Sequence, residues 1–249
     1  WLLREAAAPV DATGRFQQLY AQHARREAKV LLVGGIFTDF YPGYLRRIRR
    51  ALDASEIDID SARGTLRDNA AKIRDAVLRE REPVVLLGQS KGPLDIHAAL
   101  VLYPQLLPRV RAFVSLQAPF AGTPLAEDPR HSRILRRLAP AAFFQMGYEH
   151  RKRFLREHGP LSPVPTVALA TSTARAGFML EKTRRYMAER HQAINDGFVP
   201  LADAQIPGAR LVHLEGMDHA SLALAWMRPR AAYEPGRVAR ALVALALDR

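Results

Sequence analysis

The runs Val30-Leu31-Leu32-Val33 and Val84-Val85-Leu86-Leu87 contain no polar residue, and each ends on a glycine, Gly34 and Gly88. A strand with one wet face alternates polar and apolar residues. An unbroken apolar run of this length instead belongs to a strand covered on both faces, as in a parallel sheet sandwiched by helices. Further strands are expected at residues 57–59, 110–116, 166–170 and 210–214. Helical stretches separate them, at 12–27, 44–54, 66–80, 93–103, 178–190 and 236–247. In the 66–80 stretch Leu66, Ile73, Val77 and Leu78 mark one apolar face. Such alternation predicts an α/β fold, a mostly parallel sheet with helices on both faces.

The alternation breaks once, over residues 125–160, where two basic, helix-like stretches flank Pro140-Ala141-Ala142-Phe143-Phe144-Gln145-Met146. A segment of ~35 residues is too short to bury an independent core. The chain is therefore expected to form a single domain over residues 1–249, with 125–160 inserted into it.

Composition removes several classes. At 48% hydrophobic and 25% charged residues the chain is neither disordered nor low-complexity. It has no cysteine, which excludes a disulfide framework, a zinc–thiolate site and a cysteine nucleophile. No apolar run reaches the ~18 residues of a membrane span. Trp1-Leu2-Leu3-Arg4-Glu5 does not read as a secretory leader, and the chain opens without Met, so cytoplasmic and secreted locations both stay open. The net charge is +12, and only five of the 37 basic residues are lysines. An anionic partner and a merely arginine-rich surface would both produce this. Nucleic acid is not expected, because basic and aromatic residues are not interleaved and no recognition motif occurs.

The chemistry concentrates at Gly88-Gln89-Ser90-Lys91-Gly92, a G-x-S-x-G pattern between an expected strand and an expected helix. A nucleophilic serine stands on a strained turn with its Oγ presented, and flanking glycines let strand and helix approach without Cβ clashes. The helix N-terminus adds partial positive charge for an oxyanion. Ser90 needs a base, and the base an orienting acid. Asp196, in Asn195-Asp196-Gly197-Phe198-Val199-Pro200, and His219, in Gly216-Met217-Asp218-His219, follow later strands in the required order. Asp203 and Asp218 are the rival acids. His97, His131, His150, His158, His191 and His213 fall in helices or strands and read as structural.

Five ordered segments resemble the α/β-hydrolases, and among them the bacterial lipases and esterases, across residues 30–224. They are Leu32-Val33-Gly34-Gly35-Ile36-Phe37, the Ser90 elbow, Gln117-Ala118-Pro119-Phe120-Ala121-Gly122-Thr123-Pro124-Leu125-Ala126, the Asp196 loop, and Asp218-His219-Ala220-Ser221-Leu222. The resemblance implies an α/β-hydrolase fold and a Ser90–His219–Asp196 triad cleaving carboxylic esters through an acyl-enzyme, without cofactor or metal. It implies oxyanion donors at the backbone N–H groups of Ile36 and Lys91. It also implies a lid or fixed cap at 125–160 whose Phe143, Phe144 and Met146 face the substrate, a small-molecule or lipid ester.

Two departures stand out. Gly34-Gly35 replaces the usual His-Gly of the oxyanion loop, and Ser221 occupies the place of a calcium-ligating Asp found in some relatives, so no metal is carried over. Around the apolar centre, Arg133, Arg136, Arg137, Arg151, Lys152, Arg153 and Arg156 are expected to face solvent, where an anionic lipid surface is one candidate partner. Lys91 is expected to present its side chain at the surface or to an acidic substrate group. Acyltransferase, thioesterase, polyester depolymerase, phospholipase and a non-catalytic binding module on the same fold remain alternatives.

Overall fold

A computed structural model describes residues 7–25, 27–41, 43–128, 141–224 and 232–248. Its centre is a sheet of seven strands: β1 (Val10–Asp11), β2 (Val30–Val33), β3 (Ser55–Glu56), β4 (Val84–Gln89), β5 (Val110–Leu116), β6 (Thr166–Ser172) and β7 (Arg210–Glu215). Their order is β1-β7-β6-β5-β4-β2-β3, and every neighbouring pair is parallel. The chain moves outward from β2 to β3, then returns to the other side of β2 and advances from β4 to β7. The reversal lies between β2 and β4, whose carboxyl ends register Val33 against Gly88. In open α/β sheets such a reversal opens a crevice at the strand ends, the usual place for a site.

Alternate residues of the same strand feed opposite faces. Leu31, Val33, Val84 and Leu86 join one core with α3 (Leu66–Arg79) and α4 (Gly92–Leu102). Val30, Leu32, Val85 and Leu87 join the other with α1 (Thr13–Ala21), α2 (Arg46–Leu52) and α8 (Pro235–Leu247). This period of two, with apolar residues on both sides, is why the runs lack polar positions. Helix α3 starts with a capping box in which Thr65 Oγ1 accepts from Asp68 N and the Asp68 carboxylate accepts from Thr65 N. Helix α4 is buried from Gly92 to Leu100.

Several expected boundaries differ. The first helix stops at Ala21, short of residue 27, and the second begins at Arg46 because Leu45 has a left-handed φ of +54°. The strand expected at 57–59 lies two residues earlier, as β3; Ile57 and Ile59 are apolar because they pack into the core. The two-residue β1 is exposed and carries no apolar run that would mark it as a strand. Of the two helix-like stretches at 125–160, one is α6 (Tyr148–His158), preceded by the short α5 (Pro124–Glu127) and a 3-10 turn at Ala141–Met146. The other falls on residues 129–140, outside the described residues, with Arg133, Arg136 and Arg137.

Candidate active site

Ser90 sits between β4 and α4 with φ +59°, a left-handed conformation costly for a residue bearing a Cβ. The turn is possible only with glycine on either side. A Cβ on Gly88 would lie 2.6 Å from Pro93 N, and one on Gly92 would lie 2.4 Å from Val33 O. The Ser90 amide donates to Leu116 O at 2.9 Å, tying the elbow to β5.

His219 follows β7, and its Nε2 stands 2.9 Å from Ser90 Oγ. Its Nδ1 stands 2.9 Å from Asp196 Oδ2. A carboxylate only accepts, so Nδ1 carries the proton and Nε2 is left to accept from the Ser90 hydroxyl. Asp196 is itself fixed: Oδ1 accepts from Phe198 N at 2.9 Å and Val199 N at 2.8 Å, and Oδ2 accepts from Thr171 Oγ1 at 3.2 Å. The imidazole is stacked on the Phe198 ring, centroids 4.7 Å apart, and His219 N donates to Asp196 O at 2.9 Å. All three residues are buried.

The rival acids are engaged elsewhere. Asp218 accepts from Gly177 N at 2.8 Å and from Ser221 Oγ at 2.7 Å. Asp203 accepts from Tyr148 Oη at 2.7 Å, and burial pushes its carboxyl up to about 6, against the opposing pull of that hydrogen bond. Of the other histidines, His213 Nε2 lies 2.9 Å from Ser172 Oγ, and buried His97 Nε2 lies 3.3 Å from Leu161 O.

Gly34-Gly35 lets the loop after β2 press on the elbow. A Cβ on Gly35 would lie 2.8 Å from Ser90 Cβ and 2.9 Å from Gln89 Oε1. Ile36 is the next residue and is fully buried. Gln89 was not singled out in the sequence, yet its Oε1 accepts from Tyr44 Oη at 2.5 Å beneath this loop. The middle position of G-x-S-x-G was its only available signal.

Two basic residues differ from expectation. Lys91 has 0% side-chain exposure; it neither faces solvent nor reaches a substrate group, and its Nζ donates to both Asp95 oxygens at 2.8 and 2.9 Å. The cause is α4 itself, which has no solvent-facing side over its first nine residues. Burial pushes the Asp95 carboxyl up, opposed by Lys91, Asn69 and Arg151. Arg151 does not face a lipid headgroup either. It shares the inward face of α6 with Leu155, donates from Nε to Phe120 O at 2.9 Å, and lies over the rings of Phe120 and Phe154. Arg153 and Arg156 are exposed as expected, and Lys152 is half-buried.

An apolar cavity of about 290 Å³ opens beside His219. Phe37, Tyr41 and Tyr44 line it from the segment after β2, and Met179, Leu180 and Thr183 line it from α7 (Phe178–His191). Of the three residues expected to face substrate, Phe143 lines this cavity, edge-on to Phe198. Phe144 packs on Phe143 without lining it, and Met146 is buried in the core. Among the described residues no helix is long and apolar enough to cross a membrane.

This strand order, with a strained serine after β4 and a histidine after β7, defines an α/β-hydrolase fold. Solved structures of similar shape carry it too. A metagenomic carboxyl esterase superposes with a TM-score of 0.75 at 24% identity, over 96% of this chain and 77% of its own. The mature form of a Bacillus licheniformis lipase gives 0.62 at 22% identity, over 79% of this chain and 85% of its own. The Staphylococcus hyicus lipase gives 0.67 at 12% identity, over 91% and 97%. No protein-family profile and no curated protein sequence matches the chain.

Proposed function

We propose that this chain is a serine hydrolase of carboxylic esters. The observation that carries the reading is the continuous hydrogen-bonded relay from Ser90 Oγ through His219 to Asp196, 2.9 Å at each step, standing on a strained elbow beside an apolar cavity. Ser90 Oγ attacks the acyl carbonyl while His219 Nε2 takes its proton. The backbone N–H groups of Ile36 and Lys91 hold the resulting oxyanion. His219 returns the proton to the leaving alcohol, and the ester C–O bond breaks to leave an acyl-Ser90. Water, deprotonated by the same imidazole, then attacks, and the carboxylic acid leaves as Ser90 regains its proton. Asp196 keeps the imidazole in its productive tautomer throughout. The described part of the segment between β5 and β6 acts as a cap over the cavity, through Phe143.

The esterase and lipase neighbours support this chemistry at the level of fold. The test is hydrolysis of p-nitrophenyl butyrate together with labelling by a fluorophosphonate. Ser90→Ala and His219→Ala should each lower kcat by about 10⁴–10⁶, with the double variant little worse. Asp196→Asn should cost roughly 10³–10⁴. A folded wild type that neither labels at Ser90 nor hydrolyses any ester would favour a binding module on the same fold.

A further inference from the structure

The cavity beside His219 has two ends of different character. At one, Met179 is 46% exposed and its neighbour Phe178 is 98% exposed. At the other, Ala223 and Leu224 are buried in the core, and Ala223 O accepts from Leu45 N at 3.0 Å, next to Tyr44. The first is a mouth and the second a floor.

Of the three hydroxyls on the described walls, those of Tyr41, Tyr44 and Thr183, the last two are already engaged within the protein. Tyr44 Oη donates to Gln89, and Thr183 Oγ1 is within hydrogen-bond distance of both Leu180 O, at 2.9 Å, and Gly197 O, at 2.5 Å. Among the described lining residues, His219 apart, no side chain is ionisable below the range of a tyrosine. A charged group placed here would lose its water and, His219 apart, find no ionic partner among the described lining residues, a penalty of several kcal/mol. An alkyl chain gains instead from every methylene that enters.

Volume then sets a limit. A methylene takes about the space of a water molecule, ~30 Å³. The 290 Å³ of the cavity therefore holds roughly nine or ten carbons in single file. We infer that the site takes esters of uncharged, medium-length acyl chains, with Ala223 at the floor setting the upper limit of chain length. This rests on the hydrolase reading of Ser90 and goes beyond it in naming the acyl group.

The test is a series of p-nitrophenyl esters from acetate to palmitate, each assayed below its critical micelle concentration. For the wild type, kcat/KM should rise by up to fourfold per carbon, the equivalent of ~0.8 kcal/mol for each buried methylene, and turn over near octanoate to decanoate. Ala223→Leu fills the floor with about three carbons. It should lower the decanoate-to-butyrate ratio of kcat/KM by at least about tenfold. Leu180→Ala enlarges the cavity on its α7 side and should move the turnover to longer chains; it decides the matter where Ala223→Leu does not fold. A profile that peaks at acetate, or that climbs undiminished to palmitate, overturns the inference while leaving the Ser90 reading intact. So does a decanoate-to-butyrate ratio that neither variant moves. Absence of both hydrolysis at every length and fluorophosphonate labelling overturns the hydrolase reading itself.

Discussion

Breaking the Lys91–Asp95 pair should be far more damaging than deleting it. Both side chains have 0% exposure, and Nζ lies 2.8 Å and 2.9 Å from the two carboxylate oxygens. At an effective dielectric of ~20, unit charges about 3 Å apart attract by roughly 5–6 kcal/mol. Taking two ions out of water costs several kcal/mol each, so the intact pair contributes little net stability. Lys91→Met leaves the penalty for Asp95 in place and removes its bidentate partner. Arg151 and Asn69 offset part of the loss, which places the expected destabilisation at the lower end of the ~3–5 kcal/mol typical of such breaks. For a chain of this size about 3 kcal/mol lowers Tm by roughly 6–12 °C. Lys91→Met/Asp95→Leu, which removes both charges, should return to within about 1 kcal/mol of wild type or exceed it. Urea unfolding of the wild type, both single variants and the double variant closes the cycle. A single variant within about 1 kcal/mol of wild type, or a double variant as unstable as the two singles added together, would refute the reasoning.

Gly35→Ala should lower kcat by about 10²–10³, because its Cβ would meet Ser90 Cβ at 2.8 Å and displace the loop that carries the proposed Ile36 donor; steady-state kinetics on a soluble ester check this. Burial, with help from the charges of Arg151 and His158, holds the His97 imidazole down to about 3. The unfolded chain takes up this proton near 6.5 and the folded chain only near 3, so wild-type stability falls as pH drops through that window. His97→Gln should remove about 2 kcal/mol of the loss between pH 7 and pH 5, read from urea midpoints. Asp203 has the opposite sign: its folded carboxyl is raised to about 6, so the stability it contributes is complete below about 3.8 and lost as pH rises through 6. Asp203→Asn should flatten that part of the stability profile and keep esterase activity, and a greater loss of kcat than in Asp196→Asn would transfer the orienting role to Asp203.

The residues legible in the sequence were those whose chemistry demands a local pattern. Ser90 was marked by an unalternating strand, two glycines and a helix start, and Asp196 and His219 by their places after later strands. The side chains that escaped are those whose surroundings come from several segments at once. The cavity draws Tyr44, Thr183 and Ala223 from three distant stretches, and none of them is unusual where it stands. Lys91 is the instructive case. An i, i+4 Lys–Asp pair on a helix ordinarily reads as a solvated surface contact. Yet Gly92-Pro93-Leu94-Asp95-Ile96-His97-Ala98-Ala99-Leu100 has only two polar residues in nine. A helix without a polar side has nowhere to send its charges except inward. Taken over the whole helix rather than residue by residue, the same letters place Lys91, Asp95 and His97 inside the protein. The Arg151 that meets them follows from the same logic, since Leu155 lies one turn away on the same inward face of α6.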